Sequence, residues 1–246
     1  CVEQGNFSAQ ELAQLPTAYD YVRLGHQLSS VLEFLVAKAH GLPSSNVISF
    51  ASKTMPILAL LRSNAVHGRS TIVYHDSELP LELQDPAIQE IYGYSFQAVR
   101  VSSFASMDAS NDAMSICVTQ KKLDLDSSEL YGDATVYLGS DFASILLLHP
   151  SKDLAQWIAE VQHVRRRECI AATPPYTLRF LQELVGQEPK ALEEVSSQQW
   201  QQIVDVVAEN TGSTVEPLLA SSGLSTQYGI MMGVLDYCRQ RHPGKA

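Results

Sequence analysis

Cysteine, cationic side chains and long apolar runs are all scarce in this chain of 246 residues. The four cysteines, Cys1, Cys117, Cys169 and Cys238, lie far apart and form no CxxC pair, so neither a zinc site nor a dithiol redox motif is expected. Isolated thiols fit a reducing compartment better than a disulfide framework, and a cytoplasmic protein is expected. Lys and Arg together number 17 against 27 Asp and Glu, for a net charge of −10. A nucleic-acid groove needs clustered cations, so that class is excluded. The longest apolar stretch, ASILLLH at 143–149, falls far short of the ~20 residues a membrane span requires. No Gly-x-Ser-x-Gly elbow, internal repeat or low-complexity segment occurs, which removes the sequence signature of a serine hydrolase. The chain opens at Cys1 without a Met, which is expected to mark a trimmed fragment ahead of a mature lipoprotein or a processed product.

What is present is ordinary for a globular protein: 45% hydrophobic and 18% charged residues, enough to bury a core without staples. Helical spacing of apolar residues appears at 8–17 and at 26–40, where Leu28, Val31, Leu32, Leu35 and Val36 share a face and Gly41 with Pro43 ends the run. A further helix is expected over 55–62, with Pro56 tolerated in its first turn. Short apolar runs at 47–50, 71–74, 96–102, 114–120, 135–138 and 145–148 read as strands. Residues 102–112, SSFASMDASND, read as a loop or linker. Helical periodicity returns at 154–167, 176–185, 197–209 and 228–241. The expected architecture is α/β: a mixed or mostly parallel sheet flanked by helices in residues 1–150, then a helical subdomain or cap over 151–246.

The stretch YDYVRLGHQLSSVLEFLVAKAHG, then FASKTMPILALL and GRSTIVY, resembles the trans-sulfuration branch of the fold-type I pyridoxal-phosphate enzymes, which act on cysteine and methionine. Tyr21 and Arg23 match that family's Tyr-x-Arg. Leu32, Glu33 and Gly41 match its helix, and Ala51, Ser52, Met55 and Ile57 match a Ser-Gly-Met loop in which Lys53 replaces the usual Gly. The resemblance implies pyridoxal phosphate as cofactor, a phosphate-binding loop at Ser52, Lys53 and Met55, and a homodimer in which Tyr21 and Arg23 reach the phosphate of the neighbouring subunit. Amide groups at a helix N-terminus are well suited to a phosphate, and Lys53 either adds a point charge there or blocks the place. A second stretch, DATVYLGSDFASILLLHPSKDLAQWI, resembles the segment carrying the Schiff-base lysine, with Thr135, Tyr137, Leu138 and Asp141 in place. The lysine position holds Val136, which cannot form an imine. No Asp-Asn-Thr occurs between 76 and 135 to hold the pyridine nitrogen, and the chain is well short of the family's usual length. A degenerate, non-catalytic relative is therefore expected, one that keeps at most a phosphate-binding loop.

Two other readings compete. One is a non-enzymatic interaction module whose helical tail, 151–241, is the partner surface. The other is an unrelated α/β hydrolase or transferase using His75 and Asp76 at a strand end, where open α/β sheets bind their ligands. Adjacent strand residues point to opposite faces, which weighs against their cooperating. Among further candidates, Arg165, Arg166 and Arg167 read as a solvated helix face, Lys121 and Lys122 as a flanking pair able to meet an anion, and Asp124 with Asp126 as a turn rather than a metal site. Paired serines at 44–45, 127–128, 196–197 and 221–222 read as caps or turns. Cys117 reads as an inert core thiol, and Trp157 and Trp200 as the packing of the helical tail on the core.

Overall fold

A computed structural model describes residues 25–84, 86–107, 112–126, 129–139, 143–151, 153–189 and 196–242. The expected helix at 8–17, Tyr21 and Arg23, Asp141 and the 127–128 serine pair lie outside these residues. Helix α1 (Gln27–Ala39) leads into strand β1 (Val47–Phe50), helix α2 (Met55–Val66) and strand β2 (Ser70–His75). Short helices α3 (Leu81–Gln84) and α4 (Pro86–Tyr92) precede β3 (Gln97–Arg100), β4 (Ala113–Thr119), β5 (Ala134–Leu138) and β6 (Ser144–Leu148). The remainder is helical: α5 (Leu154–Glu168), α6 (Pro174–Leu184), α7 (Ser197–Thr211) and α8 (Gly223–Arg241).

The six strands form one mixed sheet in the order β1-β6-β5-β4-β2-β3. β6 runs antiparallel to both neighbours, while the pairs β2–β3, β2–β4 and β4–β5 are parallel. The α/β architecture read from the sequence is therefore present. Its strands are close to continuous apolar runs because both faces are covered. On one face Phe50, Val73, Ile116, Val136, Leu146 and Leu148 pack beneath α2 and α5, which contribute Leu60, Trp157 and Val161. The opposite face has two covers. Val47, Ile145 and Leu147 meet α1 and α6, whereas Tyr74 and Cys117 lie under Phe104, Met107 and Tyr131 from loops.

β1 stands at the edge of the sheet, yet all four of its residues are buried. The Ala51 amide donates to the Ile170 carbonyl at 2.9 Å and Phe50 forms an antiparallel bridge with Ala171, so the edge is closed against further pairing. α1 begins at His26, whose Nδ1 accepts the Ser29 amide while Ser29 Oγ accepts the His26 amide, a reciprocal cap. Ser196 caps α7 in the same way through Gln199, and Ser222 caps α8. Ser222 as cap starts α8 several residues before its apolar pattern does.

Two expectations about the tail need correction. Arg165 is only 6% exposed and ion-paired to Glu33, and Arg167 pairs with Glu168; of the three only Arg166 is exposed, so the expected solvated face holds at that residue alone. Trp157 packs in the core as expected, its Nε1 donating to Asn64 Oδ1 at 3.3 Å. Trp200 is 49% exposed, because α7 buries only Val204. No helix among the described residues is long and apolar enough to cross a membrane.

Candidate ligand site at the carboxyl edge of the sheet

The parallel strands send their carboxyl ends to one edge, where a crevice in an open α/β sheet takes ligands. There the loop after β1, the segment after β4 and the end of β5 surround a cavity of about 420 Å³, closed on one side by α6. Lys53, Lys121, Lys122 and Arg179 line it together with Tyr137 and Phe180. Arg179 Nε donates to Glu183 Oε1 at 3.2 Å, and Lys121 Nζ lies 3.1 Å from Asp76 Oδ2. Four cationic side chains thus gather at one cavity, in a chain whose overall balance is strongly negative. Burial pushes the Tyr137 hydroxyl up to about 12, with Tyr131 and Asp124 adding to it, so it stays a neutral hydrogen-bond donor at physiological pH.

The local sequence explains the shape. Gly139 hydrogen-bonds Ala143 at 2.9 Å across the β5–β6 connection, and a Cβ at Gly139 would sit 2.9 Å from the Ala143 oxygen and 3.0 Å from Phe180 Cζ. Only glycine lets the hairpin approach α6 this closely. Ser144 Oγ donates to the Ser52 carbonyl at 2.5 Å, which fastens the start of β6 to the loop after β1.

Within that loop the sequence-predicted residues separate. Lys53 lines the cavity, whereas the Met55 side chain lines a different cavity between α2 and α8. Ser52 Oγ accepts the amides of Thr54 at 3.3 Å and Met55 at 3.1 Å. Pro56 has no amide hydrogen, and the amides of Ile57 and Leu58 both donate to the Thr54 carbonyl. A hydroxyl oxygen of the chain itself thus collects the donors that an anion at this helix start would use.

His75 and Asp76 make separate contacts. His75 Nδ1 lies 2.7 Å from the Ser77 carbonyl, while Asp76 Oδ2 accepts Thr119 Oγ1 at 3.0 Å and faces Lys121. Asp124 Oδ1 accepts the Asp126 amide at 2.9 Å, a local turn. Cys117 is fully buried, and burial followed by Asp133 and Asp76 pushes its thiol up to about 12, which suits a core thiol and not a nucleophile.

A pyridoxal-phosphate group is met unevenly by these residues. The cations suit its phosphate, whereas the amides of the Ser52 turn are already taken by Ser52 Oγ. Val136, at 0% exposure, points into the α2–α5 side of the core, while its neighbour Tyr137 lines the cavity, so position 136 meets the pocket with neither an amine nor an open path. Arg179 and Phe180 were not singled out by sequence reasoning; an Arg-Phe pair on an amphipathic helix carries no local signal of a site.

No protein-family model matches the chain, and no curated protein does. Among solved structures it is similar to a cystathionine gamma synthase from Xanthomonas oryzae pv. oryzae in complex with aminoacrylate and cysteine, at 16% identity and TM-score 0.44 over 85% of this chain and 62% of that one. A cystathionine gamma-lyase from Lactobacillus plantarum complexed with L-serine gives 11% identity and TM-score 0.43 over 73% of this chain and 56% of that one. A putative L-allo-threonine aldolase from Listeria monocytogenes gives 13% and 0.42, covering 94% and 92% of the two chains. The chain spans less than two thirds of the length of the first two.

Proposed function

We propose that this chain is a non-catalytic relative of the pyridoxal-phosphate enzymes of sulfur amino-acid metabolism that binds a small phosphate-bearing ligand at the carboxyl edge, with pyridoxal phosphate as the first candidate. The observation that carries the reading is the cavity ringed by Lys53, Lys121, Lys122 and Arg179, while Val136 lies buried on the opposite face. A ligand phosphate oxygen arriving at the α2 start takes over the Thr54 and Met55 amides from Ser52 Oγ, and the surrounding ammonium and guanidinium groups neutralise its charge. Pyridoxal phosphate, when bound, supplies an electrophilic aldehyde and an electron-withdrawing ring; the residues here orient its phosphate and offer no lysine at position 136. Tyr21 and Arg23 reach the same phosphate from a second copy in a homodimer.

The test is a titration of the purified chain with pyridoxal phosphate, followed by absorbance and melting temperature, with Lys53→Ala and Arg23→Ala beside the parent. Saturable stabilisation of the parent, as mass action requires of a native-state ligand, and its loss in both variants are expected. Unsaturable binding indifferent to both substitutions would contradict the reading. In that outcome the interaction-module reading gains, since α7 exposes Trp200, Ile203 and Val206 along one helix.

A further inference from the structure

A second cavity, of about 290 Å³, lies behind the sheet between α2, α4, α5 and α8. Its wall is aromatic. The rings of Tyr92 and Tyr94 stack at 5.5 Å and 29°, and that of Tyr228 stands 5.9 Å from Tyr92 at 44°. Leu58 and Ile170 supply an apolar floor. Burial raises the pKa of both Tyr92 and Tyr94, and a Tyr94–Tyr228 hydrogen bond adds to the effect at Tyr94, so these hydroxyls stay neutral.

An aromatic wall beside a carboxylate would suit a cation, but here that arrangement is already filled from within. The Arg167 guanidinium lies 5.9 Å over the Tyr228 ring and donates to Glu168 Oε1 at 2.6 Å. The other carboxylate oxygen of Glu168 accepts Ser225 Oγ at 2.7 Å. The lining charge left over is of the opposite sign: Arg62 makes no hydrogen bond or ion pair with a described residue, and its positive charge acts on Tyr94. A cavity just below the roughly 300–1,000 Å³ of small-molecule sites has room for one ring with a short side chain.

We propose that this cavity is a binding site for a small aromatic monocarboxylate, its ring held against the wall of three tyrosines and its carboxylate on Arg62. The occupant would bridge α8 to α2 and α4, joining the C-terminal helix to the helical layer behind the sheet. The site is separate from the carboxyl-edge pocket and does not depend on what that pocket binds.

Calorimetric titration with 3-phenylpropionate and with its neutral analogue 3-phenylpropanol tests it. The parent should bind the acid saturably and more tightly than the alcohol by about tenfold or more, as expected of one charge-assisted contact. Arg62→Gln should bring the two affinities together. Gly229→Leu should abolish both, since Gly229 lines the cavity and a Cβ there meets no atom within 4 Å, which leaves the larger side chain room to stand against the bound ring. Lys53→Ala should change neither affinity. Equal affinity for acid and alcohol in the parent, absence of binding, or binding that survives Gly229→Leu in a variant with parental melting temperature would overturn the proposal.

Discussion

A single carboxylate oxygen, Glu33 Oε1, receives three donors: the Ser49 amide at 2.9 Å, Ser49 Oγ at 2.7 Å and Arg165 Nη1 at 2.7 Å. This places α1, the edge strand β1 and α5 on one buried contact. Glu33→Ala leaves the Arg165 charge and the Ser49 donors without their acceptor, so a loss of about 3–5 kcal/mol in urea unfolding is expected. A loss below about 1 kcal/mol would mean that Arg165 reaches water or another acceptor. His149 offers a second residue-scale test. Its Nδ1 lies 2.7 Å from the Gly132 carbonyl and its Nε2 3.3 Å from Thr135 Oγ1, and burial lowers its pKa below the ordinary 6.5, against the raising effects of the Gly132 contact and Asp133. The unfolded chain therefore binds the proton more readily than the folded one. The contribution of His149 to stability is level above pH 6.5 and declines as the pH falls through 6.5 toward the lowered folded value. Denaturation midpoints measured from pH 8 to pH 5 should fall more steeply for the parent than for His149→Gln; parallel profiles would show that the ring is not held neutral.

At the scale of elements, most of the molecule was legible because short apolar runs and capped amphipathic stretches are local signals. The strand expected at 135–138 is β5 less its first residue, and that at 145–148 is β6 less its first. Ser196 and Ser222 act as the caps that their paired hydroxyls suggested. Reading failed where the deciding partner is distant in sequence. Nothing near Arg165 shows that it will face a carboxylate from α1, and nothing near Trp200 shows that α7 will stay largely unpacked. The β5–β6 connection gives a prediction at this scale. Gly139→Ala puts a methyl 2.9 Å from the Ala143 oxygen and 3.0 Å from Phe180, so either the hairpin or α6 must shift. Overpacking of this kind costs about 1–3 kcal/mol, and ligand affinity at the carboxyl edge should fall with it. Unchanged affinity in a variant destabilised to that extent would separate the hairpin from the pocket.

For the whole molecule, the sheet order places side chains from positions 53, 121–122, 137 and 179 around one cavity, a meeting no window of sequence displays. Lys53 entered through the resemblance and Lys121–Lys122 through their position after a strand, but Arg179 is recruited only once α6 folds back over β5. The same topology puts the side chain of Val136 on the far side of the sheet from that cavity. The central claim is that the carboxyl-edge pocket recognises a phosphate and performs no covalent step at position 136. Its most direct test is the ratio of dissociation constants for pyridoxal and pyridoxal phosphate, measured by calorimetry on the parent and on Arg179→Ala. Preference for the phosphate ester by about tenfold or more, reduced in Arg179→Ala, is the predicted result. Equal affinities for the two compounds, or a preference untouched by removing Arg179, would contradict the account.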